Sequence, residues 1–218
     1  MKRLYLNSFA SLANKRNEKS LMNAINKMVA TDNDTTVFWY SRIRPGVKSF
    51  FVRDCDCGIL DGLLDKLSHI VPQTSFQKND IENSKQAIQL MKGMSFKLLE
   101  GKNMIQPTDK CIPFYGIELF VNPDAIISWE DKKGVKHIGA IKTKIKKGQF
   151  NHIEGTMIAC ILQYYLTVLY PDCVVEPDYC ICFDVFRRNF FTSKNYNQNI
   201  HLAASLANRI AAAGEAAA

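Results

Sequence analysis

Two apolar runs around a charged turn, YGIELFVNPDAIISWEDKKGVKHIGAIKTKIKK over residues 115–147, constrain this chain most. A glycine in the polar cluster Glu130-Asp131-Lys132-Lys133-Gly134, set between β-prone runs, signals a hairpin. Side chains of a strand alternate between its faces. Ala140, Lys142 and Lys144 therefore share one face of the second run, and Gly139, Ile141, Thr143 and Ile145 share the other, buried one. Two lysines thus project beside a strand that carries Asp124. A carboxylate and a lysine on neighbouring strands are the minimum of a metal-assisted phosphodiester site. The acid holds a divalent cation, and the amine steadies the attacking water or the charge growing on the phosphate.

The rest of the chain reads in order as follows. Leu4-Tyr5-Leu6 is a short strand, and Glu18–Ala30 a helix with Leu21, Ile25, Met28 and Val29 at helical spacing. Val37–Tyr40 and Phe50–Val52 are short β-prone runs around a basic turn, Arg42–Gly46. Aromatic residues beside Arg42, Arg44, Lys48 and Arg53 read either as a stacking platform for nucleic acid or as a hairpin packed on the domain. A helix from Ile59 to Ile70 is stopped by Pro72. A long helix runs from Asp80, as N-cap, to about Leu99, and residues 101–114 form a loop. After the hairpin, Asn151 or His152 caps a helix to about Tyr170. Apolar residues 178–192 form one or two strands joined at Arg187-Arg188-Asn189, and a last helix starts near Asn199.

Pro123-Asp124, a hairpin, then Ile141-Lys142 resembles the PD-(D/E)XK, or restriction-endonuclease-like, nuclease superfamily over roughly residues 80–190. The resemblance implies an α/β fold in which a mixed central sheet is flanked by helices, with an α-β-β-β-α-β core over 80–218. Residues 1–79 are an N-terminal helical and hairpin addition packed on that core. It also implies Mg²⁺ or Mn²⁺ as cofactor, DNA as partner, and defence as a common setting. Asp124 binds metal and Lys142 is catalytic, while the family's second acid falls at Ala140, which cannot supply it. The acid has moved, was removed by mutation, or the site is dead. Glu82, on the helix before the hairpin, is the candidate second metal ligand by position, with Glu118 and Asp184 as further candidates. Gln163 matches a helical glutamine that reaches the backbone or active site in recombination-nuclease members; a glutamine satisfied in the core is the other reading. Lys133, Lys144, Lys146 and Lys147, with Lys132 and Lys136, meet phosphates.

Composition bounds these expectations. Charged residues at 22% and hydrophobic residues at 47% describe a folded domain, and a net charge of +7 favours an anionic partner. The seven cysteines are odd in number and several fall in apolar segments, which reads as reduced, buried and cytoplasmic rather than as a disulfide framework. Cys55-Asp56-Cys57 lacks the paired spacing of a structural zinc site. The apolar stretch 157–170 is too short to span a bilayer, and no leader is evident. Three functions follow: a metal-dependent nuclease, a non-catalytic nuclease-fold subunit that binds nucleic acid or protein, or a structural protein with a solvated lysine edge. A homo-oligomer or larger complex is compatible with each.

Overall fold

The computed structural model describes residues 3–15, 17–30, 40–108, 110–148 and 151–216. Eight strands, β1 (Arg3–Tyr5), β2 (Asn103–Ile105), β3 (Lys110–Phe114), β4 (Ile117–Val121), β5 (Ala125–Glu130), β6 (Lys136–Lys144), β7 (Val174–Asp184) and β8 (Asn189–Thr192), form two mixed sheets among these residues. Seven α-helices flank them: α1 (Leu6–Ala10), α2 (Glu18–Ala30), α3 (Arg44–Val52), α4 (Cys57–Ser68), α5 (Ser75–Lys92), α6 (His152–Leu169) and α7 (Tyr196–Ala216).

The larger sheet runs β2-β5-β6-β7-β8, the smaller β1-β4-β3. In the larger sheet only the β6–β7 pair is parallel, and α6 is its crossover. A parallel pair needs such a connection because a tight turn cannot reverse the chain direction twice. Both faces of this sheet are covered, so β6 is buried from Ile138 to Lys144 instead of alternating with solvent. One apolar cluster joins Ile126, Ala140, Cys180 and Cys182 to α6, α7, α1 and the smaller sheet. The other joins Ala125, Ile127, Ile141 and Phe183 to α3, α4 and α5. Residues of the N-terminal addition therefore contribute to both clusters, and β1 pairs in parallel with β4.

Several sequence expectations are corrected. Pro123 divides the first apolar run: β4 belongs to the smaller sheet and β5 to the larger, so the hairpin proper is β5–β6. A proline cannot donate to the ladder, and the chain changes sheets there. Phe50–Val52 is helical, within α3; Pro45 sits in the first turn, and Val47, Phe50 and Phe51 bury one face. Phe50, Phe51 and Phe96 pack edge-on with centroids 5.0–5.5 Å apart, so these rings are core rather than a stacking platform. Residues 37–39 lie outside the described ones. Helix α5 starts at Ser75, where the Thr74 side chain accepts from the Gln77 N–H, and it ends at Lys92, not Leu99. Asp80 is no cap. It is buried within α5, accepting from the Tyr40 N–H at 2.9 Å and facing Arg42. The loop 101–114 contains β2 and all of β3.

The register shifts between Ile138 and Ala140, where β6 meets β7. A Cβ at Gly139 would stand 2.4 Å from the Tyr179 Cβ and 2.5 Å from its carbonyl oxygen. Backbone on the neighbouring strand cannot yield cheaply. Gly139→Ala is expected to lower the unfolding free energy by about 1–3 kcal/mol, read from the urea midpoint.

A candidate anion-binding site at the end of the central sheet

Pro123 turns the chain so that Asp124 stands immediately before β5, with its N–H donating to the Ile141 carbonyl at 2.7 Å. Ala125 opposes Ile141, which sets Asp124 beside Lys142. The Asp124 carboxylate accepts from the Thr143 N–H through one oxygen. Its other oxygen lies 3.5 Å from the Lys142 Nζ. That ammonium also donates to the Asn122 carbonyl at 2.5 Å and to the Asn122 Oδ1 at 2.9 Å. Three acceptors thus meet the three protons of one ammonium. Asp124 is 2% exposed and Lys142 1%. Burial pulls the Lys142 pKa below the usual lysine range; Asp124 opposes the fall, and nearby Arg44 and Lys48 add to it.

Lys144, two residues on and on the same face, donates to the Glu154 Oε1 at 2.7 Å. Glu154 lies in the first turn of α6, fully buried, and its N–H is capped by the Asn151 side chain. Its second oxygen accepts from the Asn14 amide. Lys142, Lys144, Glu154 and Asp184 all act electrostatically on the buried Cys182 thiol, so these charges surround one point of the sheet. Asp184 is itself engaged in the turn after β7. It accepts from the Phe186 and Arg187 N–H groups and pairs with the Arg187 guanidinium at 2.9 Å.

Above these groups opens a cavity of about 590 Å³. Arg44, Lys142, Lys144, Lys146 and Lys147 line it, with Asn83 and Asn122, and no carboxylate does among the described residues. Lys146 and Lys147 are exposed, and Lys147 donates to the Asn83 side chain at 3.2 Å. The arrangement can hold an anion: several cations converge on a hollow whose acids are sunk behind the lysines.

The structure therefore brings Asp124, Lys142, Lys144, Lys146 and Lys147 to one place. Other predicted residues stand elsewhere. Ala140 is fully buried against Ile126 and Cys180 in the apolar cluster. Glu82 is exposed on α5, beside pocket-lining Asn83, and no hydrogen bond or ion pair among the described residues joins it to Asp124. Gln163 accepts from the Ser193 hydroxyl at 2.6 Å, nine residues along α6 from Glu154, about 13 Å away. Gln163 is half-buried. Lys133 lies in the hairpin turn; strand β6 carries the turn roughly 20 Å from Lys142. Glu118 is on β4, in the smaller sheet, and pairs with Arg3.

Asp124 with Glu82 does not fit a shared divalent cation, since one acid faces an ammonium inside the sheet and the other faces solvent. Sequence reasoning missed Glu154 and Asn122, and it placed Arg44 beside an aromatic platform rather than at this cavity. Glu154 follows Asn151 by three residues, the position of an ordinary helix-start acid, and that signal hid it. Among the described residues no helix is long and apolar enough to cross a membrane. Comparison of the chain with protein-family models, with curated proteins and with solved structures gives no match.

Proposed function

We propose that this chain binds the phosphodiester backbone of nucleic acid, DNA in the first instance, in the cavity above Lys142. One observation carries the reading: five cations and no acid line that cavity among the described residues. Phosphate contacts of this kind give affinity without sequence preference and depend steeply on salt. The net charge of +7 supplies the long-range attraction. Support for a restriction-endonuclease-like core comes from the succession α5, β5, β6, α6, β7, in which a hairpin precedes a crossover helix and a parallel strand.

A second reading, Mg²⁺- or Mn²⁺-dependent hydrolysis of the same backbone, is favoured by the 3.5 Å approach of Asp124 and Lys142 on adjacent strands. Fluorescence anisotropy with labelled duplex DNA, single-stranded DNA and RNA tests the first reading. Affinity is expected to fall roughly a hundredfold between 50 and 200 mM salt, as for about four neutralised phosphates. Lys146→Glu/Lys147→Glu is expected to weaken binding at least about tenfold and to reduce the salt slope by about two. Binding of no polynucleotide at 50 mM salt overturns the proposal. Incubation of plasmid with Mg²⁺ or Mn²⁺ tests the second reading, with Lys142→Ala as its control.

A further inference from the structure

We propose that the DNA backbone held above Lys142 continues across α3 into a second basic groove, between α3 and α4, so that helices of the N-terminal addition form part of the binding surface. This inference deepens the proposed backbone binding and rests on it.

The groove, of about 450 Å³, is walled by Arg42, Pro45, Ser49 and Arg53 on one side and by Gly62 and Lys66 on the other. Pro45, Ser49 and Arg53 recur every four residues along α3, and Ile59, Gly62 and Lys66 recur at helical spacing along α4, so each helix turns one stripe to the groove. Gly46 lets the helices close at its base: a Cβ there would stand 2.3 Å from a Leu63 methyl carbon. Gly62 has open space where a Cβ would stand, which leaves the groove unobstructed. Three cations and no carboxylate line it among the described residues. Nearby acids are held elsewhere. Asp61 pairs with Lys92, Asp65 lies 3.8 Å from the His69 ring, and Asp54 lines another cavity. Asp80 faces Arg42 at 3.8 Å, but Arg53 and Lys66 are exposed and form no ion pair among the described residues.

Helix α3 joins the two sites, and it carries no acidic residue. Arg44, at its start, lines the cavity above Lys142, and the charges of Arg44 and Lys48, one turn apart, both reach Lys142. Pro45, the next residue, lines the groove. Arg53 closes the helix about 14 Å from Arg44, a span of about four base steps along a duplex. Phosphates that follow α3 therefore meet positive charge from the cavity to the far end of the helix. The phenylalanines of this segment turn inward to the core while its arginines stay outside, which suits contact with backbone rather than with bases.

Fluorescence anisotropy of the whole chain with a labelled 20-base-pair DNA duplex, between 50 and 200 mM salt, tests the path. Arg53→Glu/Lys66→Glu is expected to weaken binding at least about tenfold and to lower the salt slope by about two. Both residues are exposed, so the variant keeps the fold. Lys19→Glu/Lys194→Glu makes the same change of charge at exposed lysines that line neither site, and is expected to weaken binding less than about threefold. Joining the groove variant to Lys146→Glu/Lys147→Glu is expected to multiply the two losses, since the contacts are separate. A groove variant that binds like the matched control, while Lys146→Glu/Lys147→Glu is weakened, overturns this inference and leaves the cavity reading intact. A native chain that binds no duplex at 50 mM salt overturns both.

Discussion

Asp124→Ala is expected to lower the unfolding free energy by about 3–5 kcal/mol, measured by urea unfolding at neutral pH. The loss follows from what stays behind. Lys142 is almost fully buried and Asp124 is the carboxylate facing it at 3.5 Å. Without the acid, a buried ammonium keeps only the two Asn122 oxygens. The Thr143 N–H loses its acceptor as well. Removing the charge together with its partner is a different experiment. Asp124→Ala/Lys142→Met replaces the pair by apolar groups, and the double variant is expected to regain more than half of the single loss. A single variant that unfolds like the native chain would show that this pair is solvated rather than sealed in the sheet.

Alkaline pH is expected to destabilise the chain steeply, because the sheet buries thiols. Burial pushes the Cys180 thiol from 9.0 up to about 12, and pushes Cys182 further in the same direction. Raised thiols contribute stability that is fully present below pH 9.0, where folded and unfolded chains both keep the proton. Above pH 9.0 the unfolded chain sheds protons that the folded chain holds, so stability falls as pH rises towards 12. Each thiol contributes a slope of about 1.4 kcal/mol per pH unit in that window. Lys142 acts oppositely: its depressed pKa lets stability rise as pH approaches 10.5. Cys180→Ala/Cys182→Ala is expected to flatten the descent by about 2.7 kcal/mol per pH unit relative to the native chain. The slope of unfolding free energy against pH from 9 to 11 decides it. A double variant with the native slope would show that these thiols do not hold their protons in the folded chain.

Segments whose signal is local were legible in the sequence. The Asp131–Val135 turn closes the hairpin with Gly134 at positive φ, and the strand parity of 140, 142 and 144 is the parity observed. Residues 178–192 divide into β7 and β8 at the expected arginines, with Arg188 in the left-handed region. Misreadings occur where two local signals compete. Asp80 is a good cap by residue type, but Thr74 and Gln77 form the start that the chain uses, and the Asp80 carboxylate goes to the Tyr40 backbone instead. The aromatic run at 50–52 looks like a strand by propensity, whereas Pro45 and the spacing of its apolar residues make it helical.

Within the candidate site, the pairing of Asp124 with Lys142 followed from adjacent strands, and the structure brings them together. The meeting of Glu154 with Lys144 could not be read in that way. It depends on how α6 lies across the sheet, a tertiary fact with no period in the sequence. Arg44 and Asn83 reach the cavity from α3 and α5 for the same reason.

Strand β1 pairs with β4, more than a hundred residues later in the chain, and its last residue, Tyr5, with residues 6–8 just beyond it forms part of the cavity wall. Closing so long a loop is slow and entropically costly. On the ribosome, β1 must wait for its partner strand to emerge before this wall can stand. The cavity wall thus cannot be complete in a nascent chain stalled before β4, whatever has folded ahead of it.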